Sequence, residues 1–332
     1  MPTWGELLQR LLAEASANGG NVPLDEIRRQ AVAKLTELTG RPTIVYASRW
    51  VQGGGSPEQV SVGVGDVHAF MEVLHQLKGP ELNLVLHSGG GSPTAAEAVI
   101  NYVRTRFERV RVYVPLAAMS AATMMACAAD VIVMGKHSSL GPIDPQLVLQ
   151  TPLGVQAVPA LAIRDQFRMA EKRAGNHAQF AAWIPMLQQY GPGLLVQCEN
   201  VITLSENLVR TWLAKWMFKG HRDAKVLAKK IAAKLNDHKV HLVHGRFLPR
   251  DQLQAMKLRV ESLEDNQDEQ DAVLTILHAL THTFTINGAV MKIVENNIGK
   301  AVVSMAAAPR LVQPQGVAFF APGPVGPPPP GE

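Results

Sequence analysis

Apolar and polar positions alternate in two rhythms along this chain, and the change from one to the other outlines its elements. Ile27, Ala31, Ala33, Leu35 and Leu38 recur at helical spacing, so the first forty residues read as two short helices, with Asp25 placed to cap the second. Gly40-Arg-Pro42 breaks the pattern, and the β-rich run Thr43-Ile-Val-Tyr-Ala47 follows. The glycine-rich stretch 53–65 reads as a loop. Asp66 then stands where it could cap a helix with apolar positions Val67, Phe70, Met71, Val73, Leu74 and Leu77, ended by Gly79-Pro80.

The next stretch is denser in apolar residues. A strand is predicted at Leu82–His87, a helix from Thr94 to Phe107, a strand at Val110–Val114, a short apolar helix around Ser120 and a strand at Val131–Met134. Strand and helix therefore alternate as βαβαβ. Strands that are apolar without interruption predict a parallel sheet covered on both faces, with right-handed crossovers. Beyond Gln146 the pattern is mostly helical, at about 160–175, 178–190, 199–218 and 222–236. A short strand or turn near 241–250 feeds a helix capped at Asp251, and the last helix is expected at 268–283. From Ala306 onward proline and glycine dominate, which predicts a disordered or polyproline tail.

Composition narrows the class. The 332 residues are 47% hydrophobic, enough for a substantial core, and Cys127 and Cys198 are the only cysteines. Cys127 lies inside an apolar segment, so both read as buried thiols of a reducing compartment, and a cytoplasmic location is the expectation. The opening residues carry no basic-then-apolar leader, and no window supplies the ~18 apolar residues of a membrane span. The net charge of +4 is spread along the chain and densest at Lys219–Lys239 within a helical pattern. That reads as a solvated helix face and argues against a nucleic-acid partner. His241, His244 and His282 lack metal-ligand spacing, so neither a metal nor a cofactor is expected.

The candidate chemistry lies at the carboxyl ends of two predicted strands, where an open parallel sheet places its ligands. Gly89, Gly90 and Gly91 follow the strand ending at His87, and Ser120 follows the one ending at Val114. Consecutive glycines let backbone N–H groups approach a developing negative charge, and a serine at a helix start presents its hydroxyl beside the N–H of Ala121. These are the parts of a nucleophile and an oxyanion hole.

Three strings carry a family resemblance: His87-Ser-Gly-Gly-Gly-Ser, Ala118-Met-Ser-Ala-Ala-Thr and Met134-Gly-Lys-His-Ser-Ser-Leu-Gly-Pro-Ile-Asp-Pro-Gln146. They resemble the Clp protease and signal peptide peptidase A superfamily of serine peptidases and, within it, the serine dehydrogenase proteinase family. The resemblance runs over about 40–300. It implies a Clp/crotonase-like spiral of repeated βαβ units with a parallel sheet and added C-terminal helices. The layout implied is an N-terminal helical extension at 1–40, a peptidase domain at 41–305 with a helical insert at about 160–236, and the tail at 306–332.

The same resemblance implies an ATP-independent endopeptidase acting on protein or peptide substrates through an acyl-enzyme at Ser120. Gly90, Gly91 and Ala121 match the oxyanion hole, and the superfamily's habit of closed assemblies implies a homo-oligomer. The general base does not transfer directly. Where the Clp type carries its histidine, this chain has Asp144; the signal peptide peptidase type uses a later lysine, a place that Lys172 fits, with His137 and His177 as competing imidazoles. A non-catalytic scaffold and a crotonase-like acyl-CoA enzyme are the alternative functions.

Overall fold

The computed structural model describes residues 3–17, 23–151, 154–188 and 190–306. The proline-rich stretch from 307 onward lies outside the described residues, and with it nearly all of the expected tail.

A seven-stranded sheet forms the centre. Its order is Val260–Ser262, Val131–Met134, Arg109–Val114, Glu81–His87, Thr43–Ser48, Val290–Asn296 and Ala301–Met305. The first five strands are parallel to one another, and the last two join through antiparallel pairings. The fold is therefore α/β with a large, mostly parallel sheet. The uninterrupted apolar runs have a simple cause, because each face of the sheet has its own core. Ile44, Tyr46, Leu82, Leu84, Leu86, Val112 and Val114 point to one side, beneath helices Gly65–Leu74, Pro93–Arg106 and Ala121–Cys127. Val45, Ala47, Val85, Tyr113 and Val133 point to the other, under Leu24–Thr39 and Gln267–Ile286.

The structure corrects several local readings. Pro23, not Asp25, occupies the N-cap of the second helix, and Asp25 sits in the first turn, paired with Arg28. Asp66 is likewise inside its helix, with Val64 at the N-cap. The 53–65 loop contains a one-turn helix, Pro57–Val60, closed by a capping box from Ser56 and Gln59. The expected helix at 178–190 is two short ones, His177–Ala181 and Ile184–Leu187, and a hairpin, Gln146–Thr151 with Gly154–Pro159, precedes them.

Two strands follow the last helix, where none was expected. Their apolar run is interrupted by Lys292 and Glu295, residues that argue against a buried strand until their partners are known. Both are buried: Lys292 pairs with Asp66, and Glu295 with Arg28.

Helix Leu194–Trp212 continues through a π-turn to Met217 and packs on the helix that begins after Ser120, and Ala224–Asn236 packs on Leu194–Trp212. Cys127 and Cys198 are free and buried, and burial pushes the Cys127 thiol up to about 12. No helix among the described residues is long and apolar enough to cross a membrane.

Candidate active site

Ser120 terminates the link from strand Arg109–Val114 and immediately precedes helix Ala121–Cys127. Its backbone sits at φ 52°, ψ −120°, a conformation an L-residue with a side chain adopts only when its surroundings impose it. The imposing contacts come from the glycine loop. Ser88 N–H donates to Ala117 O (3.2 Å) and Met119 N–H donates to Ser88 O (2.9 Å), so loop and serine turn are joined as a short parallel bridge. The half-buried Ser120 side chain caps nothing in its own helix and is left for chemistry.

The three candidate donors differ. Gly90 N–H is engaged, donating to Ser88 Oγ at 3.2 Å. Gly91 lies between two bonds of a parallel bridge, Val62 N–H to Gly90 O (2.7 Å) and Ser92 N–H to Val62 O (2.9 Å). This leaves its own N–H without a partner among the described residues, as is that of Ala121 at the helix start. Gly90 contributes by being small, because a Cβ there would lie 2.7 Å from Ser120 Cβ and 2.9 Å from Ala121 N.

A buried network holds this loop. Asp66 Oδ2 accepts from Gly63 N–H (2.8 Å) and from the Tyr46 hydroxyl (2.8 Å), and both carboxylate oxygens accept from Lys292 Nζ at 3.0 Å. Burial first, then the Asp66 carboxylate, holds the Tyr46 hydroxyl well above its ordinary value, so it stays a donor. Tyr46 also meets Ser88, the acceptor of Gly90 N–H. One carboxylate thus anchors both sides of the Val62–Gly91 bridge.

Asp144 is 1% exposed and sits between Ile143 and Pro145. Its oxygens accept from His244 Nδ1 at 2.8 Å, from His238 Nδ1 at 3.2 Å and from Gln146 Nε2 at 3.0 Å. Since a carboxylate can only accept, Nδ1 of His244 is the donor in its contact with Asp144. His244 and Ser120 both line one cavity of 640 Å³, together with the glycine loop, Val62 and Gly63.

The other candidates stand elsewhere. Lys172 is exposed on helix Ala160–Arg173 and does not line this cavity. His137 is exposed, with its ring against Gly135 and Nε2 3.0 Å from Pro115 O, and it too is absent from the lining. His177 opens its short helix, and its side chain lies outside the described ones. His241 is buried, with Nε2 on Lys234 O at 2.7 Å, and burial lowers its pKa. Among the described residues no group of three or more His, Cys, Asp or Glu could hold a metal ion. A larger groove, 1020 Å³, runs between the helices at 194–212 and 224–236 and carries Arg210, Lys215, Lys225, Lys229 and Lys230, which lie apart from Ser120.

Reasoning from the sequence did not bring His244 to Asp144 or to the cavity that Ser120 lines. The only available hint was its recurrence with His238 and His241 at intervals of three, because its carboxylate lies 100 residues earlier.

Two curated relatives are uncharacterized proteins of Methanocaldococcus jannaschii. The chain is 40% identical to MJ0137 over 106 residues and 35% identical to MJ1495 over 66. The matches take in 32% and 20% of this chain and only 37% and 23% of those proteins, so the chain spans about a third and a quarter of their lengths. Among solved structures, the 1510-N membrane-bound stomatin-specific protease aligns in a serine-to-alanine variant with a TM-score of 0.36 and 14% identity, over 60% of this chain and 74% of that one. A lysine-to-alanine variant of it with a substrate peptide aligns at 0.37 and 13%, over 74% and 84%. These two likenesses are faint, and nothing about the site rests on them. Residues 72–165, which include the glycine loop, Ser120 and Asp144, match the family of ClpP-like SDH-type serine proteinases, the family that the motifs of this segment resemble.

Proposed function

We propose that this protein is a serine peptidase in which Ser120 is the nucleophile, His244 the general base and Asp144 the residue that orients it. The observation that carries the reading is that Ser120 and His244 open into the same cavity while buried Asp144 holds His244 by Nδ1. The family match over 72–165 supplies the reaction class.

His244 Nε2 takes the Ser120 proton as Oγ attacks the substrate carbonyl. The N–H groups of Gly91 and Ala121 receive the oxyanion, and the protonated imidazole then gives its proton to the leaving amine. Water, activated by the same imidazole, releases the acyl group from Ser120. Asp144 stabilises the imidazolium and keeps its tautomer, the role such a carboxylate has in a Ser-His-Asp arrangement. On this reading Lys172 is a surface residue. Protein or peptide substrates, independence from ATP, a cytoplasmic location and a homo-oligomer belong to the same proposal.

The test is labelling by a fluorophosphonate and cleavage of casein. Both are expected to disappear in Ser120→Ala and to fall by at least about a thousandfold in His244→Ala. Lys172→Ala is expected to keep wild-type rates. Cleavage that survives Ser120→Ala would end the peptidase reading; loss on Lys172→Ala with retention in His244→Ala would move the base to the lysine.

A further inference from the structure

His244 sits on a segment that the hydrophobic core does not hold. Of residues 238–247 only His241 is buried, and Val240, Leu242, Val243 and Phe247 are all exposed. The position of the segment is therefore set by polar contacts. Leu242 takes φ 71°, a left-handed conformation that a residue with a large side chain adopts only under constraint, and its N–H donates to His238 O at 2.7 Å. The chain thus doubles back directly after His238.

Two of the contacts that fasten this segment converge on one carboxylate. His238 Nδ1 donates to Asp144 Oδ2 at 3.2 Å, and His244 Nδ1 donates to Oδ1 at 2.8 Å. Gln146 Nε2 also donates to Oδ2, at 3.0 Å, so one oxygen is held from two sides and the other is left turned to His244. Elsewhere the segment is tied by His241 Nε2 to Lys234 O at 2.7 Å and by Lys239 to Asp165 at 2.8 Å. The Lys239 side chain is exposed, and an ion pair of that kind contributes little. His238 is absent from the lining of the cavity that Ser120 and His244 share.

We propose that His238 is a positioning residue for the reaction at Ser120. By holding Oδ2 of Asp144 from the start of the segment, it fixes both the carboxylate that orients His244 and the turn of chain that carries His244 to the cavity. The inference rests on the peptidase reading. An imidazole suits the place because it donates without a permanent charge. A lysine or arginine there would neutralise the carboxylate that stabilises the imidazolium of His244. A displacement of about 1 Å in a reacting group can cost a hundredfold in rate, so loss of this one contact is expected to show in turnover.

The test compares His238→Ala, which removes the donor, with His238→Asn, whose side-chain amide can donate from nearly the place of Nδ1. With a quenched peptide, His238→Ala is expected to lower kcat by about tenfold or more while KM stays within about threefold, and His238→Asn to remain within about threefold of the wild type in both. Wild-type kcat in His238→Ala, a loss confined to KM, or an Asn variant as impaired as the Ala one overturns the proposal. Nitrogen NMR of the full chain labelled at histidine reads the same contact without turnover. His244 should show the Nδ1–H tautomer in the wild type and a mixture with the Nε2–H form in His238→Ala, and an unchanged tautomer overturns the proposal. The urea midpoint of His238→Ala should stay close to that of the wild type; a large drop would make His238 a residue of the fold, which also overturns it. Failure of the peptidase reading would show separately, as a wild-type chain whose Ser120 takes no fluorophosphonate, and would remove the proposal with it.

Discussion

Replacing Gly90 by alanine tests whether the glycine loop is shaped for Ser120. Gly90 has φ +96°, and a Cβ there would stand 2.5 Å from Met119 O, 2.7 Å from Ser120 Cβ and 2.9 Å from Ala121 N. The backbone conformation alone costs an alanine about 1–2 kcal/mol. The contacts add more, since every one of the three atoms belongs to the Ser120 turn and two of them are backbone. Relief requires that turn to shift by several tenths of an ångström or more, carrying Oγ and the Ala121 N–H with it. Loss of one oxyanion donor costs ~3 kcal/mol, about a hundredfold in kcat. Gly40→Ala is the matched control, with φ +66° and nothing within 4 Å of its Cβ. Urea unfolding should show Gly40→Ala less stable by about 1–2 kcal/mol and Gly90→Ala by more than that, while peptide turnover and fluorophosphonate labelling fall by about a hundredfold or more in Gly90→Ala alone. A Gly90→Ala enzyme within about threefold of wild-type kcat, or equal losses in the two variants, would refute the geometry proposed for the oxyanion loop.

The buried network and the buried imidazole give two further expectations. Asp66→Asn leaves Lys292 charged, buried and short of its partner, and should lower stability by about 3–5 kcal/mol in urea melts; an Asp66→Asn chain as stable as the wild type would show that the pair anchors nothing. His87 is buried at the end of the strand that feeds the glycine loop, and burial lowers its pKa from 6.5 to about 4 despite a bond to Ala117 O. The unfolded chain therefore binds the proton first, and stability contributed by the neutral ring is full above pH 6.5 and is lost as pH falls toward 4. The loss assignable to His87 is about 3 kcal/mol over that window, and urea melts at pH 7 and pH 4 should show it shrinking in His87→Asn. An unchanged pH dependence in the variant would assign the loss to other groups.

Some of this molecule could be read from local order along the chain. The strands at 43–48, 81–87, 109–114 and 131–134 declare themselves because each is buried on both faces, so its apolar run is continuous. The three glycines and Ser120 stand out for the same reason: the turns that follow those strands need particular residue types at adjacent positions. Such information is short-range and survives in a one-dimensional pattern.

What tertiary structure decided is long-range pairing. The strands at 290–296 and 301–305 carry charges that look misplaced until Asp66 and Arg28 arrive from 226 and 267 residues away. His244 is one histidine among several until the fold brings it to Asp144. Gly90 and Gly91 look alike as letters, and only the bridge to Val62 and the contact with Ser88 separate a glycine needed for its size from one whose N–H is free. The apolar strands between 43 and 134 and the turns that follow them are statements about neighbours in the chain, and those the sequence alone determined. A histidine–carboxylate contact or a buried ion pair is a statement about neighbours in space, and those were settled only when the sheet and its helices packed.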